Sequence, residues 1–336
     1  MVIYALEDVD DALDATRALL TPLDRDVWAK LALVMVFVGG SSVGLTNFQY
    51  STSPVTPGTT PFTNLPSLGP RSWLLVAAVV VVVVLLVLAY ALVSSVMEFV
   101  FVESLRAEEV AIGRYWNRRW RQGLRLFGFR IVLGVFTVGG ALVLLAPVIL
   151  AATGTNVSGG ASLAVLLALA PLFVLLVAVA GVINGFTTVF VVPVMILDDC
   201  GVLAGWRRLW TSLVSNWKQY LAYLVGGFVL SVVGAIVAGV VTLVLALVLL
   251  IPFGLLFALG IGLYAVTAPL GIAVMVVVGL GFLVALIAAA ALVQVPVQTY
   301  LRYYALLVLG DVDADLDLIA ERREAIREGE ATGDAA

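Results

Sequence analysis

Histidine is absent from this 336-residue chain, and cysteine occurs only once, as Cys200. The missing histidine removes the commonest general base and the commonest metal ligand, and a single cysteine allows no intrachain disulfide. Charge is also scarce, since 12% of the residues are charged while 62% are apolar. One soluble core could not bury this much apolar surface, so we expect lipid to be the solvent for much of it.

Motifs for enzyme chemistry are largely missing as well. The sequence contains neither a GxxxxGK[ST] phosphate loop nor an HExxH helix. Residues 40–44 have the letters of a GxSxG nucleophile elbow, but no histidine exists to activate Ser42. Asp198, Asp199 and Cys200 are expected to cap a helix rather than to bind a metal. We therefore predict a non-enzymatic protein with no cofactor, no metal and no nucleic-acid partner; the alternative is a membrane enzyme that uses carboxylates alone.

What the sequence does contain is a series of long apolar runs. Residues 74–89 include no polar side chain, and a helix needs about 20 apolar residues to cross a bilayer. Helices are expected because lipid offers no partner to unpaired backbone groups. The predicted fold class is all-α, a polytopic transmembrane helix bundle of about six spans with cytoplasmic amphipathic helices. The predicted spans are residues 28–45, 72–97, 131–151, 164–189, 220–243 and 271–293.

Polar segments flank the predicted transmembrane domain, residues 28–310. In residues 1–27, apolar residues recur at helical spacing opposite acidic ones, which predicts an amphipathic helix on the membrane surface. The acidic residues at its start also disfavour a signal peptide. The acidic tail, residues 311–336, is expected to be mobile, with helical stretches at best.

Residues 244–270 are apolar throughout but are interrupted by prolines and glycines, among them Pro252 and Pro269. We interpret them as a re-entrant or interfacial segment, and the alternative is a seventh span. With six spans, all 18 lysines and arginines except Arg71 lie on one side of the membrane. The positive-inside rule makes that side cytoplasmic, so we expect a cell-membrane protein with both termini in the cytoplasm.

A weak internal repeat accompanies these spans. Trp28, Trp120 and Trp217, each close to a cation, precede the first, third and fifth spans. Three copies of a two-helix unit would explain this pattern and would suit a small-molecule permease. The alternative is that every membrane helix needs an interfacial aromatic residue and a cation. Glu98 and Glu103 are expected to lie at the interface, and the lack of charge within the spans disfavours ion-coupled transport.

Arginine and tryptophan alternate in the most basic part of the chain, between the second and third spans, and again before the fifth. Guanidinium groups bind phosphates, and tryptophan favours head-group depth. We therefore expect this face to contact membrane lipids, or a membrane or cytoplasmic partner protein, and to organise them. The candidate residues are Arg114, Trp116, Arg118, Arg119, Trp120, Arg121, Arg125, Trp206, Arg207, Arg208 and Trp210.

Polar and small residues also occur together within the fourth predicted span. Gly181 and Gly185 are separated by one helical turn, and Asn184 lies between them. This pattern predicts close packing against another helix, closed by an interhelical hydrogen bond. A substrate-binding role for Asn184 is the alternative.

The basic, aromatic segments 116–129 and 206–210 and the closing segment 295–306 resemble an uncharacterised family of haloarchaeal multi-pass membrane proteins. The two lysines against sixteen arginines and the acidic pI near 4.9 agree with such an origin. More distantly, the pattern is similar to the membrane domain that accompanies some bacterial glycerophosphodiester phosphodiesterases. The resemblance implies a multi-pass membrane protein and transfers no catalytic residue.

Overall fold

The structure is a computed structural model, and it describes residues 4–21, 24–39, 70–152 and 159–333. Regular secondary structure in these ranges is entirely helical. A π-helical turn, Thr187–Val191, joins α5 to α6, and a 3-10 turn, Ala314–Leu316, precedes α10. The helices are α1 (Tyr4–Leu20), α2 (Arg25–Val38), α3 (Pro70–Ala107), α4 (Ile112–Ala152), α5 (Gly159–Phe186), α6 (Val192–Leu197), α7 (Val202–Ser215), α8 (Trp217–Val266), α9 (Ala268–Val312) and α10 (Ala320–Gly333).

Within the described ranges, five helical segments are long and apolar enough to cross a membrane, which confirms the all-α polytopic fold. The first predicted span, residues 28–45, is described only in part: its first residues belong to α2, a helix of 14 residues, and residues 40–45 lie outside the described ranges. The five segments are Ser72–Ala107, Ile112–Ala146, Leu167–Leu197, Trp217–Val266 and Ala268–Val312.

A tight helical hairpin replaces the re-entrant or interfacial segment expected at residues 244–270. Helix α8 is continuous through Pro252 and has 50 residues in total, which gives it a length of about 75 Å. Thr267 alone separates it from α9, and Pro269 falls in the first turn of α9, where its missing N–H is not needed. Helix α8 therefore stays helical because α9 packs along it and Pro252 removes only one backbone donor.

Burial divides the long helices into two zones. Along α3, the apolar side chains of residues 73–88 are between 37% and 71% exposed, whereas residues 96–105 are at most 7% exposed. We call the second zone, in which the helix ends pack together, the packed bundle. It contains α1, α2, α6, α7, the C-terminal end of α9 and the adjoining parts of α3, α4 and α8. The remaining parts of the long helices form the exposed apolar zone.

Helix α9 lies at the centre of the packed bundle, where residues 303–309 are buried on every side. Aromatic rings connect it to its neighbours. Tyr304 stacks on Tyr223 of α8 at a centroid distance of 5.5 Å. Phe190, in the π-helical turn, meets the edge of Tyr223 at 4.7 Å. The π-helical turn, α8 and α9 are therefore held together in one aromatic cluster.

The two terminal segments dock on this bundle and on each other, in contrast to the surface helix and the mobile tail that the sequence predicts. Helix α1 packs along α9. In the tail, Leu316, Leu318 and Ile319 are buried. Arg327 of α10 binds Asp8 at 3.2 Å and Asp11 at 3.0 Å. The tail is docked rather than mobile because Arg327, a cation within this acidic segment, forms ion pairs with carboxylates on α1.

Candidate functional site

Helix α4 divides the predicted arginine face into an outer and an inner side. Arg118, Arg121 and Arg125 recur at helical spacing and are exposed. Arg119 and Gln122 occupy the opposite side and are buried. The sequence pattern alone does not separate these two groups, because both lie within one continuous basic segment.

Arg119 is a structural residue, which corrects its assignment to lipid or partner contact. Its guanidinium lies 3.2 Å from the Glu103 carboxylate, and both side chains are only 5% exposed. Gln122 donates to the Met195 carbonyl and to the Asp199 carboxylate, each at 2.8 Å. Together these contacts tie α3 and α4 to the end of α6, so Arg119 is not available to a ligand outside the bundle.

The turn between α6 and α7 is held by ion pairs rather than by the expected helix cap. Asp198 binds Arg208 at 2.9 Å, and Asp199 lies 3.5 Å from Arg119. The residue that caps the start of α7 is Gly201, which has no side chain to donate or accept a hydrogen bond. The Asp198 and Asp199 carboxylates therefore orient α7 against α4 and do not cap the first turn of α7.

Exposed cations and large exposed apolar residues form one surface across α4 and α7. Trp210 is 58% exposed and Leu203 is 78% exposed, and Arg125 reaches Gly201 at the start of α7. We name this surface the α4–α7 face. It consists of Arg118, Trp120, Arg121, Leu124, Arg125, Leu203, Arg207, Trp210 and Val214.

The other residues of the predicted face have partners within the chain. Arg114 is exposed and binds Glu109 at 2.6 Å. Trp116 and Trp206 are half-buried against the core. The Trp206 indole N–H donates to the Thr187 hydroxyl at 3.0 Å, which anchors α7 to the π-helical turn.

The packing expected at Gly181, Asn184 and Gly185 is not made within the described chain. Asn184 is exposed, and a Cβ added at Gly181 or Gly185 would have no neighbouring atom within 4 Å. Close helix approach occurs elsewhere, since a Cβ at Gly123 would lie 2.9 Å from the Val96 Cα. Gly181 and Gly185 therefore face away from the described parts of the other helices.

A buried ionic cluster, which sequence reasoning missed, lies where the packed bundle meets the exposed apolar zone. Glu98 of α3 is 1% exposed and binds Arg302 of α9 at 2.6 Å. Its other oxygen lies 3.8 Å from Arg130 of α4. We call Glu98, Arg130 and Arg302 the Glu98 cluster. Glu98 and Glu103 are thus both buried and ion-paired within the packed bundle.

The π-helical turn supplies a backbone acceptor to this cluster. In a π-helical pattern the Thr188 carbonyl would accept from residue 193, but that residue is Pro193, which has no N–H. Arg302 donates to this carbonyl at 2.6 Å. Arg130 donates to the Thr188 hydroxyl at 2.9 Å. Pro193 was the available sequence signal, because a proline in an apolar helix leaves a carbonyl without its partner.

A partly open chamber of about 440 Å³ adjoins the cluster, between α8, α9 and the ends of α2 and the π-helical turn. Its polar lining comes from the Glu98 cluster and from glutamine, serine, threonine and tyrosine residues. Its remaining walls are apolar. The polar lining residues are Glu98, Thr188, Tyr223, Ser231, Gln294, Gln298 and Arg302.

The charged groups at the chamber are held by one another. Glu98 and Arg302 bind each other at 2.6 Å. Among the residues that the structure describes, no group of three or more carboxylates or thiols is arranged to hold a metal ion. The chamber can therefore present fixed charge and hydrogen-bond donors to a molecule that enters it.

Comparison with known proteins identifies a family for nearly the whole chain. No curated protein and no solved structure matches it. The model of a family of unknown function, DUF7544, matches residues 3–319. This agrees with the expectation of an uncharacterised family, and the five apolar helices agree with a membrane protein. The chain is a member of the DUF7544 family.

Proposed function

We propose that this integral membrane protein is not an enzyme and that it organises anionic membrane lipids through the α4–α7 face. The observation that carries the proposal is the exposure of Leu203, Trp210 and Val214 on the same face as the exposed arginines of α4 and α7, of which Arg118 also lies 3.5 Å from Glu103. Large apolar side chains exposed on an amphipathic helix are unfavourable in water, but they are accommodated at head-group depth. The neighbouring guanidinium groups would bind the phosphates.

The location of this face supports the proposal. Residues 131–146 of α4, which are mostly apolar and all exposed or half-buried, follow directly after the basic segment. The indole of Trp206 anchors α7 at Thr187, one residue before the acceptor of the Glu98 cluster. Both helices therefore place their cations at the edge of the exposed apolar zone, where lipid head groups would lie.

The proposed topology has six spans, with both termini on the cytoplasmic side of the cell membrane. Contact of α1 with α10 through Arg327 supports a common side for the two ends of the chain. A common side requires an even number of crossings. The positive-inside rule assigns that side to the cytoplasm, because the basic segments of α4 and α7 lie there in this arrangement.

The test compares lipids that remain bound to the full-length protein in nanodiscs made with equal amounts of phosphatidylglycerol and phosphatidylcholine. The variant changes Arg118, Arg121 and Arg125 to glutamine together. Each cation near a membrane surface contributes about 1 kcal/mol, so enrichment of phosphatidylglycerol around the protein should fall by roughly tenfold or more.

Arg114→Gln is the matched control, since Arg114 is exposed on the same helix but lies outside the α4–α7 face and binds Glu109 at 2.6 Å. It should leave the enrichment unchanged. Arg119 is kept intact because its loss would disturb the bundle itself. Unchanged enrichment in the triple variant would refute the lipid role, and loss of a co-purified protein in that variant alone would favour a partner protein.

The alternative of a small-molecule permease has weaker support. The predicted repeat would form three pairs of helices, and the two helices of each pair pack on each other: α2 on α3, α4 on α5 and α8 on α9. The repeat itself stays a prediction. The charged groups of the Glu98 cluster bind one another at the edge of the exposed apolar zone. The haloarchaeal origin and the likeness to the phosphodiesterase membrane domain also stay predictions from the sequence.

A further inference from the structure

We propose that the chamber beside the Glu98 cluster is a second lipid site, which holds the phosphate head group of one anionic phospholipid. It is separate from the α4–α7 face, because none of the chamber residues belongs to that face. The occupant is inferred from three properties of the chamber: its charge, its donors and its apolar walls.

The charge of the cluster favours an anion. Arg130 and Arg302 share the single carboxylate of Glu98, so the cluster has one more positive than negative charge. Both charges of the Glu98–Arg302 pair are buried, with 1% and 7% of the side chains exposed. The surplus charge is that of Arg130, which lies 3.8 Å from Glu98 and is only 18% exposed. A buried cation without a full counterion is costly, and a phosphate bound in the chamber beside Arg302 would provide the missing negative charge.

Donors remain available for that phosphate. A guanidinium has five N–H groups, and the contacts of Arg302 with Glu98 and the Thr188 carbonyl involve one hydrogen bond from each terminal nitrogen. Arg302 lines the chamber together with Gln294 and Gln298, and the Gln298 amide donates to the Gln294 amide oxygen at 3.3 Å. Glu98 also lines the chamber, but its charge is already neutralised by the two arginines.

The walls indicate a lipid rather than free phosphate. Phe228, Val232, Ala235 and Val297 line the chamber, and Phe228 and Val232 are 68% and 41% exposed. The apolar wall formed by Phe228, Val232 and Ala235 continues along α8 into the exposed apolar zone, where acyl chains would lie beside it. A soluble phosphate would gain nothing from this surface, whereas a phospholipid would bury both of its ends.

The experiment measures lipid binding to the purified full-length protein by native mass spectrometry, after delipidation in a neutral detergent. The probes are phosphatidylglycerol, phosphatidylcholine and inorganic phosphate, each titrated separately. The wild-type protein should retain one phosphatidylglycerol more tightly than any phosphatidylcholine, and inorganic phosphate should not displace it.

Substitutions at the cluster should act in opposite directions. Arg302→Gln removes the surplus positive charge and a charge-assisted donor, so affinity for phosphatidylglycerol should fall by about tenfold or more. Glu98→Gln increases the surplus charge and should leave the affinity equal or higher. A purely structural ion pair would instead give the same direction of change, or no change, in both variants, and this result would overturn the proposal.

A third variant leaves the charged groups untouched, in case Arg302→Gln fails to fold. Ala235→Phe fills the chamber from an exposed position on α8 and should abolish tight binding. Ile236→Phe is its control, since Ile236 is exposed and does not line the chamber. Tight binding that survives Ala235→Phe, equal binding of phosphatidylcholine, or displacement by inorganic phosphate would each overturn the lipid site.

The two lipid proposals fail independently. The triple glutamine variant of the α4–α7 face should lose enrichment of surrounding lipid but keep the single tightly held phosphatidylglycerol. Ala235→Phe should do the reverse. Loss of the tightly held lipid in the triple variant would assign it to the α4–α7 face and would contradict the chamber site.

Discussion

The two ends of α3 are both rich in valine but have different surroundings. Residues 79–84 are six consecutive valines, all about half exposed, whereas Val96, Val100 and Val102 are fully buried. The outer end relies on its length and uniform apolarity, because lipid accepts any apolar shape. The inner end must match defined neighbours, because protein interiors are close-packed. Side-chain shape therefore matters at one end and hydrophobicity alone at the other.

A matched pair of phenylalanines tests this contrast most strongly. Phe99 is fully buried in α3, and Phe136 of α4 is 74% exposed. Phe99→Ala should lower the free energy of unfolding by about 3–5 kcal/mol, because it leaves a cavity in the packed bundle. Phe136→Ala removes contacts with lipid only and should have a much smaller effect.

Unfolding of both variants by a denaturing detergent, in the same mixed micelles, measures the difference. If the two variants lost equal stability, side chains in the exposed apolar zone would have to pack as specifically as those in the packed bundle. That result would break the comparison between the two ends of α3.

Two glycines of α4 sharpen the comparison at the level of a single methyl group. A Cβ at Gly123 would lie 2.5 Å from a Val96 methyl and 2.9 Å from the Val96 Cα. Gly123→Ala should therefore cost about 1–3 kcal/mol by forcing α3 and α4 apart. A Cβ at Gly128 would have no neighbour within 4 Å.

Gly128→Ala serves as the control and should be neutral, or stabilising by up to about 1 kcal/mol, since alanine favours the helix. Thermal unfolding of the two purified variants in one detergent gives the comparison. Equal melting temperatures would mean that α3 and α4 do not approach as closely as the structure has them.

The smallest expected effect concerns the docking of α1 and its dependence on pH. Burial, together with the nearby Asp311 carboxylate, raises the pKa of Asp8 from 3.8 to about 8, although Arg327 partly opposes this. The folded state therefore holds a proton more tightly than the unfolded state. Stability from this group is greatest below the unfolded pKa of 3.8 and falls as the pH rises towards about 8.

Asp8→Asn has no proton to lose and should flatten this decline, which raises the melting temperature at the alkaline end of the range. Melting temperatures measured at several pH values from about 4 to 8 test it. Asp14→Asn is the control, because Asp14 lies on the exposed side of α1. An unchanged slope for Asp8→Asn would show that another group controls the pH dependence.

The sequence by itself determined the helical membrane fold and most of the apolar helices. Hydrophobic length is a local property, so residues 74–89 predict a spanning helix whatever surrounds them. The sequence also located the basic, aromatic segments, and the exposed members of the α4–α7 face come from them. It did not locate the end of α8, because prolines and glycines interrupt a soluble helix more readily than one that packs along a membrane partner.

Only the tertiary structure decided which charges face inward. Arg118 and Arg119 are neighbours in sequence, but one is exposed and the other is buried against Glu103. Glu98 and Arg302 are 204 residues apart, and Arg327 reaches Asp8 across 319 residues. Such pairs form because long helices bring distant positions together in the packed bundle. Local periodicity contains no information about those partners, so the chamber and its surplus charge follow from the fold alone.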